Sequence, residues 1–447
     1  MSSNKNEVII VGAGVSGLLL AQHLRKCGIS YQIFERDTDL MTRGLGWGLT
    51  LHWSLPALRQ LLPEELLRRI PETYVDRASV EEGRASMFPF FNLSTGELKA
   101  ATPPAPESQR IRMARDRFRE LIATGIDIQV SCGAERVLRP GTDGRKWSKA
   151  ATTFESKDGS VTVHFDDGSS ATSRLLVACD GGNSRIRQAL FPERQSYKIP
   201  IRFMGVKAEY TPEQMEPLRK LDPIFLQGTA SANDTYTFLS SEHLAYLVLY
   251  VVLDSPGNHP PGSQADPRYV VQFVISWPFR AGFLNKPSPT PFPSTKEDGL
   301  ELIRQFAESW AEPFHSLANS ISPSFEIKHL QLYDWLPPKE VHGTRNVALV
   351  GDAFHLMSMY RGEGANHAIV DVLDLVEMVI PHLASDAVSL QRAVESYHNV
   401  VAARARPGVL ASRQACMDAH DWSCVDNDSP LLSRRAMKLD FDDSAFD

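Results

Sequence analysis

The most constraining feature of the sequence is a glycine-rich turn that joins an apolar strand to an apolar helix near the N-terminus. Val8-Ile9-Ile10-Val11 precedes Gly12-Ala13-Gly14-Val15-Ser16-Gly17, and a helix is predicted from Val15 to about Cys27. A second strand follows and ends at Phe34. The order strand, glycine turn, helix and strand predicts a βαβ unit of the kind that binds dinucleotides.

Each glycine of this turn has its own physical role. Gly12 allows the tight turn, Gly14 lets the backbone approach a pyrophosphate, and Gly17 lets the helix pack closely on the strand. Free amides at the helix start attract phosphate charge. Glu35 ends the second strand, where a carboxylate can accept both hydroxyls of an adenosine ribose and repels a 2′-phosphate. The alternative is a structural turn followed by a surface glutamate.

Two later stretches also consist of a buried strand that ends in a turn. Residues 175–179 lead into Asp180-Gly181 and a DGxxSxxR pattern. Residues 346–350 lead into Gly351-Asp352, which precedes the glycine-rich helix start Gly362-Glu363-Gly364-Ala365. The first turn alone does not separate FAD from NAD. The two later stretches favour FAD, because together with the first turn they resemble a family of FAD-binding enzymes.

With these three stretches, the sequence resembles the flavoprotein aromatic hydroxylases, the single-component FAD monooxygenases related to salicylate and para-hydroxybenzoate hydroxylases. The resemblance runs from Val8 to about Arg404, and segments 43–53 and 361–368 make it strongest toward fungal secondary-metabolite members. It implies an α/β fold with a glutathione-reductase-like FAD-binding Rossmann domain, an interleaved β-sheet substrate domain and a C-terminal helix.

The chain is accordingly expected to alternate between two domains. Residues 1–75, 109–192 and 336–385 would form the FAD-binding domain, and residues 76–108 and 193–335 the substrate domain. Residues 386–447 would form a C-terminal helix and a polar tail. The apolar patterns predict helices over 54–70, 110–122, 299–310, 364–382 and 390–417, strands over 201–209, 236–239, 244–253 and 269–277, and a hairpin with arms 161–165 and 171–177.

The resemblance also implies which residues contact the cofactor. Asp352 would hydrogen-bond the ribityl chain of the flavin, and the amides near Gly364 and Ala365 would face the carbonyl edge of the ring, where a helix N-terminus stabilises negative charge. Arg119 matches an arginine that reaches the cofactor, and its alternative is a solvated helix arginine. The expected cofactor residues are Gly12, Gly14, Gly17, Glu35, Arg36, Gly48, Arg119, Asp180, Gly181, Asp352, Gly362, Gly364 and Ala365.

The residues for catalysis and substrate binding are fewer. Arg202 is a lone cation in an apolar strand, and a buried arginine must be paired. It would be catalytic if its partner were a flavin peroxide or a substrate carbonyl, and structural if it formed an ion pair. Tyr236 is a candidate acid or ring contact, and His355 is either a base or a structural hydrogen-bonding group. The candidate substrate contacts are His52, Met359 and Tyr360.

One departure from the family pattern concerns the loop after Asp352. Leu356 and Met359 stand where the family carries prolines. The second of these prolines usually shapes the wall beside the flavin where the substrate is held. The position of the substrate is therefore not transferable from phenol hydroxylases.

The reaction follows from the resemblance. NADPH or NADH would reduce FAD as a transient reductant, since the sequence has no second strand-GxGxxG-helix unit. O2 would add to the flavin, and a C4a-hydroperoxide would deliver one oxygen atom to an aromatic, indole or polyketide-like small molecule. An oxidase, dehydrogenase or rearrangement catalyst on the same fold is the alternative that Met359 leaves open. A cofactor-free binding protein is a third possibility, which Glu35, Arg119 and Asp352 together oppose.

Composition limits the partners and the location. The net charge of -7 over 447 residues includes no basic block, which disfavours nucleic acid as a partner. The longest apolar run, residues 244–253, is about half of a membrane span. Five scattered cysteines fit a reducing compartment. These features predict a cytoplasmic enzyme that acts without a membrane, as a monomer or homodimer.

Overall fold

The computed structural model describes residues 7–39, 48–129, 149–243, 269–322, 326–443 and 446. The glycine-rich segment 43–47 and the strand expected at 244–253 lie outside these residues. The strands are β1 Val8–Val11, β2 Tyr31–Phe34, β3 Gly48–Leu51, β4 Phe90–Asn92, β5 Leu98–Ala100, β6 Ile111–Ala114, β7 Ile128–Gln129, β8 Ala151–Lys157, β9 Ser160–Phe165, β10 Ser170–Ser173, β11 Leu175–Ala178, β12 Tyr197–Tyr210, β13 Phe225–Ala230, β14 Thr235–His243, β15 Tyr269–Pro278, β16 Glu326–Asp334 and β17 Val347–Leu349. The helices are α1 Val15–Lys26, α2 Leu55–Leu61, α3 Glu64–Leu67, α4 Arg77–Glu81, α5 Arg115–Ala123, α6 Arg185–Leu190, α7 Pro212–Leu221, α8 Lys296–Ala307, α9 Phe314–Asn319, α10 Gly364–Met378 and α11 Ala387–Asp418.

A five-stranded parallel sheet carries the glycine turn. Its order is β17-β11-β1-β2-β7. All four residues of β1 are buried, as expected for a parallel strand that is covered on both faces. Because the strands run in one direction, the segments that follow β1, β2, β11 and β17 meet at one edge of the sheet. This edge collects Gly12, Glu35, Asp180 and Asp352.

A seven-stranded sheet of order β16-β12-β15-β14-β13-β4-β5 forms the second layer of structure. Its two faces contact different partners. Phe273 and Trp277 pack with α8 and α9 on one face, where Thr295 caps the start of α8. Phe203 and Tyr236 face the other side, toward Tyr360 and the end of α11. The strands of the parallel sheet lie in the segments proposed for FAD binding, and those of this sheet lie in the segments proposed for the substrate domain.

The predicted hairpin around Asp166-Asp167-Gly168 is present, but its second arm is shorter than expected. Residues 170–173 pair antiparallel with β9. Residues 175–178 form β11, which instead pairs with β1 in the parallel sheet. The prediction of one arm over 171–177 was therefore wrong, because the first part of this segment pairs in one sheet and the second part in another.

Two predicted helices differ from the structure. The segment 54–70 is not one helix, because α2 ends at Leu61 and Leu62 is extended before Pro63. A residue before proline disfavours helical angles, and proline lacks the amide that would continue the ladder. The segment 110–122 begins with strand β6, which pairs with β3, before α5 starts at Arg115.

The helix α11 contacts both large sheets. In its first half, the Tyr397 hydroxyl donates to the carbonyl oxygen of Leu349 in β17 at 3.0 Å. Near its end, Arg413 donates through Nε to Asp334 of β16 at 2.7 Å. A tail follows α11 and returns to the loop after β17. Among the described residues, no helix is both long and apolar enough to cross a bilayer.

Candidate active site

Glu35 and Arg119 join the glycine turn into one buried cluster. The Ala13 amide donates to Oε2 of Glu35 at 2.8 Å, and Nε of Arg119 donates to the carbonyl oxygen of Ala13 at 2.7 Å. Nη2 of Arg119 lies 3.4 Å from the same Glu35 oxygen. The end of β2, the glycine turn and α5 are therefore fixed against one another by charge-assisted hydrogen bonds.

The three glycines of the turn differ in what surrounds them. A Cβ on Gly12 would lie 2.3 Å from the Cys179 carbonyl oxygen, and a Cβ on Gly17 would lie 2.0 Å from the carbonyl oxygen of Gly12. A Cβ on Gly14 would meet nothing within 4 Å. Gly14 is also the N-cap of α1 and supplies no side chain to its free amides. The turn thus leaves open space at a helix start, which suits an anionic group.

Asp352 lies in the turn after β17 with an exposed side chain. Burial nevertheless raises the pKa of its carboxyl, because protein surrounds the position closely. No hydrogen bond to its carboxylate is found among the described residues. Its Oδ1 would lie 3.8 Å from a Cβ on Gly364, at the start of α10. An unpaired acceptor beside a helix N-terminus suits a ligand that carries hydroxyl groups.

The turn that carries Asp352 lies next to the other two turns. A Cβ on Gly351 would lie 3.1 Å from Oγ of Ser16 in the first turn of α1. Nη1 of Arg187, in α6, donates to the carbonyl oxygen of Asp352 at 3.0 Å. Asp180 keeps one buried carboxylate oxygen without a partner in the described part of the chain, and burial raises the pKa of its carboxyl. The donors and acceptors at this sheet edge fit FAD, which needs a pyrophosphate cradle and partners for two polyol segments.

Several residues that were predicted to bind the cofactor are described best by their backbone conformation or position. Gly181 and Gly362 adopt left-handed angles, with φ of 79° and 64°. Gly48 lies in β3, where a Cβ would be 2.5 Å from Nη2 of Arg112. The Arg36 side chain is 46% exposed, and its amide donates to Glu35. Ala365 lies in the first turn of α10.

The loop between β17 and α10 contains a buried ion pair. Nε of Arg361 lies 2.7 Å from Oε2 of Glu363, and both side chains are fully buried. The indole Nε1 of Trp53 donates to the other Glu363 oxygen at 3.3 Å. The Asn366 side chain accepts from the His52 amide at 3.0 Å. These contacts fasten the loop to the segment that follows β3.

His52 lies in positively charged surroundings. Its pKa is lowered to about 3, first by burial and then by Arg435, Arg110 and Arg361. The imidazole is therefore neutral near pH 7. It can act as a neutral hydrogen-bonding group, but it adds no further positive charge.

An aromatic cluster joins the loop to the seven-stranded sheet. The ring centroids of Tyr236 and Tyr360 are 4.9 Å apart. The Tyr360 hydroxyl donates to Oγ of Ser276 at 2.8 Å, and the Tyr236 hydroxyl donates to Gln227 at 3.1 Å. Burial raises the pKa of both phenols. Both therefore stay protonated at neutral pH, and Met359 packs at the edge of the same cluster.

The structure does not bring Arg202 to this group. Its guanidinium carbon lies 3.5 Å from the ring centroid of Phe279 and 4.9 Å from that of Phe292, and it donates to Gln331. Phe203, the next residue, packs with Tyr236 instead. Successive side chains of a strand point to opposite faces, so Arg202 lies on the face covered by the helices. The expectation of a flavin or substrate partner for Arg202 is corrected accordingly.

His355 belongs to a buried charge network. Its Nε2 lies 2.6 Å from Asp371, which also accepts from the Gly351 amide at 2.8 Å and from Arg404 at 2.8 Å. Burial alone would raise the pKa of Asp371, but His355 and Arg404 lower it far below its ordinary value. Through Asp371 the network holds the turn at Gly351 in place. This contact favours the structural hydrogen-bonding role for His355 over the role of a base.

Sequence reasoning missed several residues around the loop. The charged pair that flanks Gly362 was visible in the motif Arg361-Gly362-Glu363, because charged residues in a buried glycine loop need partners. Ser276 and His420, whose Nε2 lies 2.9 Å from Oγ of Ser276, carried no comparable signal. Arg435 also carried none, since it lies in a polar tail.

Comparison with known proteins finds related sequences along almost the whole chain. Residues 10–45 match the family model of the NAD(P)-binding Rossmann-like domain. The chain is 38% identical over 459 residues to a probable FAD-dependent monooxygenase of Arthroderma benhamiae, and the match covers 99% of this chain and 98% of that protein. It is 32% identical to the FAD-dependent monooxygenase tazP of Aspergillus terreus, covering 84% of this chain and 90% of that protein.

The fold is also that of a solved hydroxylase. A salicylate hydroxylase in complex with its substrate superposes with a TM-score of 0.65. The identity is 19%, and the superposition covers 96% of this chain and 93% of that chain. The likeness therefore concerns the arrangement of the two sheets and the helices around them.

Proposed function

Because the chain belongs to the FAD-dependent monooxygenases, we propose that it inserts one oxygen atom into an aromatic, indole or polyketide-like small molecule. The single observation that carries the proposal is the relative of 38% identity that matches it over almost its whole length. The cluster of Ala13, Glu35 and Arg119 supports it, because it holds together three segments of the chain that are proposed to bind FAD.

The residues at the sheet edge would hold FAD along its length. The amides after Gly14 would bind the pyrophosphate, and Glu35, held by Arg119, would bind the adenosine ribose. Asp352 would accept hydrogen bonds from the ribityl chain. The start of α10 at Gly364 would face the carbonyl edge of the ring, where its amides favour negative charge.

When bound, FAD supplies the redox chemistry: it takes a hydride from NAD(P)H and activates O2 for transfer of one oxygen atom. The protein orients the substrate and excludes water. Tyr236 and Tyr360 form a buried aromatic pair beside the loop at 359–362, and each hydroxyl donates to a neighbouring side chain. Tyr236 is the proposed contact for the reacting ring, and His52 is the proposed neutral polar contact.

We infer that the nicotinamide nucleotide binds the enzyme only transiently and is not a permanently bound cofactor. The described residues contain one strand, glycine turn and helix of the dinucleotide type, and the cluster of Glu35 and Arg119 at this turn is the part that would hold FAD. A reductant that binds transiently leaves the remaining space for substrate and O2. The assay that identifies the substrate, run with NADH and with NADPH, also shows which nucleotide the enzyme prefers.

The proposal is tested by screening ring compounds for substrate-stimulated NADPH and NADH oxidation by the purified holoenzyme. A product heavier by one oxygen atom, labelled when ¹⁸O2 is supplied, is the expected result. Turnover that needs no NAD(P)H and releases H2O2 would instead show an oxidase. A purified protein that does not take up FAD would contradict the proposal as a whole.

We also propose that the enzyme works in the cytoplasm, as a monomer or homodimer, without nucleic acid or membrane partners. The modest negative charge and the scattered cysteines support this. Light scattering of the holoenzyme tests the oligomeric state, and fractionation of producing cells tests the location. Recovery of the protein with membranes would contradict it.

A further inference from the structure

Glu363 places a carboxylate at the start of α10. It is the N-cap residue of this helix, and the amides of the first turn, from Gly364 onward, have no partner within the helix. A carboxylate near a helix start ordinarily stabilises the helix, because its negative charge attracts these amides. The Glu363 side chain, however, makes no capping hydrogen bond to α10.

The Glu363 carboxylate is held instead by two side chains from outside the helix. Nε of Arg361 donates to Oε2 at 2.7 Å, and Nε1 of Trp53 donates to Oε1 at 3.3 Å. The Arg361 and Glu363 side chains are fully buried, so water does not compete for either group. Each carboxylate oxygen thus has a partner other than the α10 amides, and Arg361 also balances the negative charge.

Arg361 is itself fixed by the tail after α11. Its Nη1 donates to the Pro430 carbonyl and to Oγ of Ser433 at 2.8 Å. Its Nη2 donates to the Arg434 carbonyl oxygen at 3.3 Å. All three of these acceptors are neutral, so they orient the guanidinium and leave its charge to Glu363. Arg361 therefore cannot turn away from Glu363 without losing several buried hydrogen bonds.

We propose that Arg361 and Trp53 are positioning residues that hold the Glu363 carboxylate away from the first amides of α10, so that these amides stay available to the flavin. The inference rests on the proposed function, which puts the carbonyl edge of the flavin ring at this helix start. A carboxylate that capped α10 would occupy the same donors. It would also repel negative charge on the ring, which the helix start otherwise stabilises.

The test compares the midpoint potentials of bound and free FAD, which give the ratio of the affinities for reduced and oxidised FAD. Trp53→Phe removes one donor from Glu363 and changes no charge, so it should lower this ratio by roughly threefold to tenfold. The matched control is the same substitution in a Glu363→Gln background, where no carboxylate is left to release and the ratio should not change. Arg361→Gln should lower the ratio further, because it also removes the counter-charge.

A ratio that stays at the wild-type value in Trp53→Phe would overturn the inference, even if Arg361→Gln does not fold. An equal fall in the Glu363→Gln background would also overturn it, since Trp53 would then act without Glu363. The expected ratios in an enzyme that forms no oxygenated product would keep the inference and remove the proposed function. Oxygenation with unchanged ratios would do the reverse, and a protein that does not take up FAD would contradict both.

Discussion

Nε of Arg119 lies 2.7 Å from the carbonyl oxygen of Ala13, a residue 106 positions earlier in the chain. The same guanidinium contacts Glu35, so one side chain fixes both the turn and the carboxylate. The proposed cofactor site therefore depends on a contact that spans the first and second segments proposed for the FAD-binding domain.

Replacing Arg119 by alanine should weaken FAD binding by about tenfold to a hundredfold, because a buried hydrogen bond to a charged group contributes about 1.5–3 kcal/mol. Fluorescence titration of the apoprotein with FAD measures the affinity. Glu120→Ala, at the next and exposed position of α5, should bind FAD like wild type. Equal loss in both variants would mean that the helix, and not the contact to Ala13, is what matters.

Alanine at Gly14 and at Gly17 should act in opposite ways. The Gly14 position is open, so Gly14→Ala should fold normally but lose FAD affinity by at least about tenfold, since its methyl group fills the expected pyrophosphate space. Gly17→Ala would place a carbon 2.0 Å from the Gly12 carbonyl oxygen, and it should fold poorly. Circular dichroism and FAD titration separate the two effects. Wild-type FAD affinity in Gly14→Ala would contradict the assigned cradle.

Asp352→Ala should stabilise the apoprotein while weakening FAD binding. Burial raises the pKa of this carboxyl, so the wild-type apoprotein gains stability below the ordinary pKa and loses it as the pH rises through the raised value. At pH 7.5 the variant should therefore melt at a higher temperature without FAD and gain less from added FAD. Asp127→Asn, in an exposed loop, serves as the control. A variant that melts lower without FAD would refute this account.

His420 should contribute to acid sensitivity. Its pKa is lowered from 6.5 to about 4 by burial, so the unfolded chain takes up a proton below pH 6.5 before the folded protein does. Stability is lost as the pH falls through this window. Urea unfolding at pH 7.5 and 5.5 should show a loss that is smaller by roughly 1.4 kcal/mol in His420→Gln than in wild type. His342→Gln, at an exposed position, should leave the loss unchanged.

Local patterns predicted the parts of the site that are local in sequence. The turn at Gly12–Gly17 and the hairpin turn at Gly168 each lie within a few residues, so spacing and residue type were sufficient. The parallel strands then brought Asp180 and Asp352 to the same edge, as the resemblance implied. The break before Pro63 was also visible in the sequence, and the predicted long helix neglected it.

The remaining features depend on contacts that spacing does not encode. Buried and exposed residues alternate at both ends of β12, so its pattern places Arg202 opposite Phe203, but it does not tell which face of the sheet is covered by helices. A hydrogen bond joins Arg435 to the Tyr360 carbonyl across 75 positions, and nothing in a polar tail marks that contact. Both cases require knowledge of which surfaces meet after folding.

The helix α11 has 32 residues, which gives a rod of about 48 Å. Since Tyr397 donates a hydrogen bond to one sheet and Arg413 to the other, α11 sets the spacing between the two sheets, one proposed to bind FAD and the other the substrate. Opening the two sheets apart would require bending this rod or breaking the Arg413 contact. Ligand entry is thus expected to move the loop after β17 and the tail after α11, while α11 itself keeps its shape.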